Sequence, residues 1–319
     1  MATESDSITD MPHATMTRRT AVGATLTALA ATLSRAATRL PANKNVKWGL
    51  GSNLWNYFTP RASFTDILDV MKDTGFIGLR LTQFPQILQT YNITAAQMQQ
   101  EAQKRGCHIV TISFSPPSHD PAQRAKILAD AKAAMNFLKE FGANHLVVFS
   151  PNRRNAEAPK AFETMCECFN EIGAAANNMG FHAGLHNHVG QIVQTPEEVD
   201  RCMAMTDPKL FGFSPDTAHL HLGGCDVVKT LEKHKSRLIL ADYKDAKRSP
   251  ADKPGVFSRE SIFDLGDGEI DFPGCHRVLK SIGFKGWLIV DLDIARKSPR
   301  ASYERSGEYV VKTLDPIYV

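Results

Sequence analysis

AFETMCECFNEIGAAANNMGFHAGLHNHVG, Ala161 to Gly190, contains one structural unit and the chemistry at its end. Ala161 to Gly180 repeats apolar side chains at spacings of three and four and closes on a glycine, the pattern of an amphipathic helix with a C-terminal cap. The apolar run FHAGLH follows at once and reads as a buried strand. His186 and His188, two residues apart, then fall on one face of extended chain, so both imidazoles look into one space. The plain alternative is that one caps the strand and the other sits in a polar loop. What surrounds them in the fold decides.

The same alternation runs along the chain from Val46. VKWGLGSN, FIGLRLT, CHIVTISFS, HLVVFS, FHAGLH, LFGFSPD, RLILADY and GWLIVDLD read as strands, separated by amphipathic stretches such as PAQRAKILADAKAAMNFLKEFG. Strands alternating with helices in this way predict an α/β fold, a parallel (β/α)8 barrel of the TIM type in a single domain. An open doubly wound sheet is the competing architecture, but no GxGxxG follows the first strand. Lys247 to Ile270, between the seventh strand and its helix, is the one long insertion, and such loops sit over the active-site face.

Composition narrows the partners. The chain has 319 residues, 43% of them hydrophobic, enough for a large core. Its 37 basic and 34 acidic residues leave a formal charge of +3, so no global field points to nucleic acid or a membrane surface. Arg153 and Arg154 read as a solvated loop or as a hold on an anionic substrate group. Six scattered cysteines lack the CxxC spacing of zinc sites and read as small buried residues, with no disulfide pairing deducible.

Residues 1–40 stand apart from residues 41–319, the barrel. Thr17-Arg18-Arg19-Thr20 precedes a mildly apolar Ala21 to Leu33 run, too short to span a bilayer, with small residues around Ser34-Arg35-Ala36. This reads as a disordered N-terminus with a twin-arginine export signal, placing the protein in the periplasm or outside the cell. A disordered arm on a cytoplasmic protein is the alternative.

Barrel active sites are assembled at the C-terminal ends of the strands. Strand five ends in His186 and His188, strand six in Asp216 with His219 beyond it, strand seven in Asp242 and Lys244, and strand eight in Asp291 and Asp293. Each has a structural reading as a helix cap, loop residue or ion pair. Converging carboxylates would repel one another and be costly to bury alone. A divalent ion removes that objection, and three carboxylates with one imidazole suit Mn²⁺, Co²⁺, Mg²⁺ or Zn²⁺.

HNHVGQIVQTPEEVD, FGFSPDTAHLHLGGCDVV, RLILADYKD, LGDGEIDF and GWLIVDLD, in that order, resemble successive motifs of the sugar phosphate isomerase/epimerase superfamily of xylose isomerase-like barrels. The likeness is greatest to its inosose dehydratase branch. It is strongest from His186 to the C-terminus, and WGLGSNLWN fits the first strand. Such proteins hold a divalent metal with Glu, Asp, His and Glu on strands five to eight. Asp216 in PDTAH matches directly, while His186, Asp242 and Asp291 stand where the family has Glu, His and Glu. The inventory of three carboxylates and one imidazole survives, redistributed, and the shorter Asp291 implies a shifted ion or an intervening water.

The resemblance implies one divalent metal ion polarising the carbonyl of a small-molecule sugar, keto-sugar or cyclitol, with an enediolate after proton loss. His188, His219 and Asp293 are the acid/base candidates, and Trp55 with Tyr57, Arg80 and Lys244 the substrate contacts. Both metal-bound glutamates that serve as bases in the epimerases are replaced. This favours a lyase or dehydratase on an inosose or keto-sugar over a ketose epimerase or isomerase, with a non-catalytic periplasmic carbohydrate-binding subunit as the third reading. Arg80 stands where inosose dehydratases more often carry Glu, and a salt bridge inside the barrel is its plain reading. Endonuclease IV shares this fold, but its extra metal histidines and basic DNA face have no counterpart. No membrane span is expected, and oligomerisation is left open.

Overall fold

The apolar runs close into a barrel. In a computed structural model the described residues are 40, 43–57, 62–82, 84–157, 160–249 and 253–318. The strands are β1 (Val46–Gly51), β2 (Gly78–Leu81), β3 (His108–Phe114), β4 (His145–Phe149), β5 (His182–His186), β6 (Phe211–Phe213), β7 (Ala241–Tyr243), β8 (Asp245–Ala246), β9 (Ile262–Phe263) and β10 (Gly286–Val290). Eight of them form one sheet in the order β6-β5-β4-β3-β2-β1-β10-β7, parallel throughout, while β8 and β9 pair antiparallel inside the long insertion. Helices fill the connections, among them Phe64–Thr74, Ala161–Asn178 and Pro196–Met205, the first and last opened by capping boxes at Ser63 and Thr195. The Ala161–Asn178 helix ends as its sequence predicts, with Gly180 at φ +77° just beyond it.

Closure between β6 and β7 is made without a full ladder. Isolated parallel bridges join Phe213 to Leu238 and Asp216 to Asp242. The Thr217 hydroxyl adds a latch: it accepts from the Lys244 amide at 2.9 Å and faces the Lys244 carbonyl at 2.8 Å. Strand six is shorter than the run LFGFSPD because Pro215 has no N–H to give a ladder. Strand seven is shorter than RLILADY: Arg237 closes the 3-10 turn Lys235–Arg237, and Leu238 keeps only an isolated bridge to Phe213 before the strand begins at Ala241.

Alternate residues of each strand enter the lumen. Its N-terminal half is plugged by Val147, Leu240 and Ile289, with Phe149, Ile239 and Trp287 packed on them. Ile239 explains two strand glycines: a Cβ at Gly184 would lie 2.7 Å, and one at Gly212 2.5 Å, from its side-chain carbons. One step up the same alternation come Arg80, His186, Asp242 and Asp291, so the apolar plug is the floor on which the polar cluster rests.

All six cysteines are free and buried. Among the described residues no helix is long and apolar enough to cross a membrane. The twin-arginine reading of Arg18 and Arg19 falls outside the described residues.

Candidate active site

Two buried cations organise the strand ends. Arg80, from β2, places Nη2 2.8 Å from Asp291 Oδ1 and 3.2 Å from Asp242 Oδ2. Its Nη1 donates to the Ser113 hydroxyl at 2.7 Å. Lys244, just past β7, places Nζ 2.6 Å from Asp291 Oδ2, 3.1 Å from Asp293 Oδ2 and 3.2 Å from Asp216 Oδ2. Asp291 is therefore held on both oxygens by fixed positive charge. The internal salt bridge foreseen for Arg80 is present, and Arg80 also lines the cavity above.

Asp216 has two roles in one side chain. Its Oδ1 caps the helix Thr217–Leu222 by accepting from the His219 amide at 3.1 Å, while Oδ2 turns inward to the Lys244 ammonium, 3.2 Å away. Its backbone is fixed by Asn187, the residue between the two histidines: Oδ1 of Asn187 accepts from the Asp216 amide and Nδ2 donates to its carbonyl. Neither Asn187 nor Thr217 carries a signal of this role in the sequence beyond its place beside a ligand candidate.

Burial and charge set the protonation states. Burial pushes the Asp216 carboxyl up, against the pull of Lys244, to about 6. Asp242 is driven well above the usual carboxylate range by burial, which Arg80 opposes. Burial raises Asp291 too, but Arg80 and Lys244 bring it below its ordinary value. Burial, then Arg80, drives the His186 imidazole well below its ordinary value, and burial, then Lys244, lowers His188 to about 4. Two cations, Arg80 and Lys244, against four carboxylates, Asp216, Asp242, Asp291 and Asp293, leave a formal excess of negative charge in the buried cluster.

That excess is one test of whether a divalent ion fits, and the donor set is the other. His186, Asp216 and Asp242 each bring a ligand atom within 4.8 Å of the others, all buried. His186 Nδ1 and Asp242 Oδ1 lack hydrogen-bond partners, while Asp216 Oδ2 and Asp242 Oδ2 each face one cation at 3.2 Å, Lys244 and Arg80 respectively. A backbone hydrogen bond to Ser214 orients the His186 ring, as metal-binding imidazoles are commonly oriented. Three of the four ligand candidates thus come together and fit an ion; Asp291, the fourth, lies outside this group, tied to Arg80 and Lys244.

Above the cluster opens a cavity of about 980 Å³, at the upper end of the usual size for small-ligand sites. Asn53, Arg80, His186, His188, Asp291 and Asp293 contribute to its wall, with Lys244 and with Phe257 from the insertion. His188 Nδ1 lies 2.6 Å from the Val189 carbonyl, so that nitrogen carries the proton and Nε2 is left as acceptor. Asp293 is held by Lys244 and by Asn53 Nδ2.

Two expectations require correction. His219 does not reach the cavity: it is wholly buried, with its ring centroid 3.5 Å from that of His188, and its Nδ1 accepts from the Val189 amide. Trp55 is not a sugar platform, because it stacks on Tyr303 at 5.4 Å with 2% exposure, and Tyr303 in turn donates to the Gly51 carbonyl. The Tyr57 side chain falls outside the described ones. Arg153 keeps to the solvated-loop reading, exposed and paired with Glu198 at 2.8 Å. Asp245, just past β7, takes no part in the cluster and instead accepts from the amides of Gly266, Gly268 and Ile270, shaping the insertion.

A family model described as xylose isomerase-like TIM barrel matches residues 68–312. An inosose dehydratase of Lactiplantibacillus plantarum is 30% identical over 165 residues, which cover 49% of this chain and 55% of the relative. One of Geobacillus thermodenitrificans is 29% identical over 205 residues, covering 57% and 69%. The chain spans about half the length of the first of these relatives. Among solved structures, the IolI protein with a binding zinc atom superimposes with a TM-score of 0.72 at 15% identity, over 86% of this chain and 99% of that one, a likeness of fold.

Proposed function

The chain belongs to the xylose isomerase-like TIM barrel family, and on that premise we propose that it is a lyase that removes water from an inosose or a keto-sugar. The observation that carries this reading is the buried trio His186, Asp216 and Asp242 beneath a cavity walled by Lys244, Asp293 and a neutral His188. The inosose dehydratases among the relatives support the substrate class. A divalent ion held by His186, Asp216 and Asp242 would supply Lewis-acid polarisation of the substrate ketone.

The other tasks fall to the chain. His188, neutral at pH 7 with Nε2 free, accepts the proton from the carbon next to the ketone. Lys244, an ammonium locked by Asp216, Asp291 and Asp293, stabilises the negative charge that develops on oxygen. Asp293 accepts from a substrate hydroxyl and so orients the ring. The imidazolium formed at His188 returns its proton to the departing hydroxyl, so that the substrate loses one hydrogen and one hydroxyl as water.

The deciding experiment incubates Mn²⁺-, Co²⁺- or Zn²⁺-loaded protein with inososes and 3-keto-glycosides in D₂O and follows the products by NMR. An unsaturated product with deuterium exchange at the neighbouring carbon is expected. Exchange with only an epimer or isomer would replace the lyase by an epimerase, and saturable binding without exchange would indicate a carbohydrate-binding protein. Export is proposed through Arg18 and Arg19: changing both to lysine should retain the chain in the cytoplasm, and unchanged export would defeat that reading.

A further inference from the structure

We infer that Arg80 is a built-in competitor for the divalent-ion site, its guanidinium standing between Asp242 and Asp291 where an ion shared by the two would lie. The inference rests on the ion reading above. One atom, Nη2, contacts both carboxylates, at 3.2 Å and 2.8 Å, so a single positive centre already bridges them. Metal–oxygen bonds are shorter, about 2.0–2.2 Å, so an ion drawing on both carboxylates and the guanidinium cannot occupy this space together.

The surroundings are built for that arrangement. Gly51 makes the room: a Cβ there would fall 2.0 Å from Asp291 Oδ1 and 3.4 Å from Arg80 Nη2. Ser113 anchors the guanidinium from the far side through Nη1, and side-chain exposure is 3% for Arg80 and 2% for Asp291. Lys244 holds the other oxygen of Asp291, so the carboxylate cannot swing away to serve an ion while both cations are in place.

The consequence is a shell of three protein donors with Asp291 withheld, and an ion affinity lower than the same barrel would have without the guanidinium. Removing Arg80 releases Asp291 Oδ1 and removes a positive charge beside Asp242, and both changes favour the ion. Restoring a carboxylate to the shell should strengthen binding roughly 10- to 100-fold, the scale on which residues around a metal alter its affinity.

The test is calorimetric titration of chelator-treated full-length protein with Mn²⁺ and Zn²⁺ in three forms: wild type, Arg80→Met and Arg80→Met/Asp291→Asn. The expected result is tighter binding in Arg80→Met by roughly 10- to 100-fold, with most of the gain lost in the double variant. One ion in the wild type with equal or weaker binding in Arg80→Met would overturn the inference while leaving the ion reading intact. No binding in any form would remove the ion reading itself, and the inference with it. Ion-induced thermal stabilisation is followed alongside, and Arg80→Gln, which drops the charge but keeps a donor, replaces the Met variant if that chain does not fold.

Discussion

Asn187 clamps the backbone of Asp216 from both sides, its Oδ1 3.1 Å from the Asp216 amide and its Nδ2 3.3 Å from the Asp216 carbonyl. Both groups are buried, and the clamp lets Asp216 point one oxygen at the helix and the other at the cluster. Asn187→Leu should cost about 1–3 kcal/mol for each buried backbone group left without a partner. It should also weaken divalent-ion binding roughly 10- to 100-fold. Urea unfolding and metal titration measure the two effects; a destabilised variant with unaltered ion affinity would show that the clamp does not set the Asp216 carboxylate.

Gly51 is tested by the smallest change available. In Gly51→Ala the new methyl must displace Asp291 Oδ1, which lies 2.0 Å from the added carbon, and so parts Asp291 from Arg80. Breaking a buried ion pair costs about 3–5 kcal/mol, and a loss of that order is expected in urea. A loss below about 1 kcal/mol would mean that the pair relaxes around the methyl without breaking.

The acid limb of stability should carry the mark of His276. The ring is fully buried, stacks on Trp48 at 5.8 Å, and faces the Tyr243 hydroxyl at 3.2 Å, and burial lowers its pKa from 6.5 to about 4. Between those values the unfolded chain binds more protons than the folded one, so stability rises with pH. Its contribution is complete above 6.5 and is lost as the pH falls through about 4. In His276→Gln the slope of unfolding free energy against pH should be shallower than in the wild type between pH 4 and 6.5. Identical slopes would place the acid sensitivity elsewhere, with His145, lowered to about 4 by burial and by His182, the next candidate.

The barrel was legible because its signal is repetitive: eight apolar runs in register with amphipathic helices leave little choice of architecture. The inward residues were legible by period, and the same alternation that joins His186 to His188 joins Asp242 to Lys244 and Asp291 to Asp293. Partner choice was not. Nothing in GLRLTQFP says that Arg80 crosses the lumen to Asp242 and Asp291, and so the withdrawal of Asp291 from the ligand group could not be read in advance. His219 illustrates the other limit: it follows a strand end in sequence, yet the helix capped by Asp216 turns it beneath His188, away from the cavity. Side-chain direction on a short helix depends on where that helix begins, which Oδ1 of Asp216 decides.

The last prediction separates the two histidines at the end of β5. His186 lies at the floor, 3.8 Å from Asp216 Oδ2 and 3.5 Å from Asp242 Oδ2, with Nδ1 unpartnered. His188 lies two residues on, half-buried in the cavity wall, with its Nδ1 engaged by Val189 and Nε2 left to accept a proton. His186→Ala should therefore lower ion affinity and activity together, since the group of ligand candidates loses its imidazole. His188→Ala should retain the ion and lower kcat by roughly 10²- to 10⁴-fold, the usual contribution of a general acid or base. Metal titration and steady-state kinetics on both variants give the answer. Ion loss in the His188 variant with retention in the His186 variant would exchange the roles, and full activity in both would remove this strand end from the mechanism.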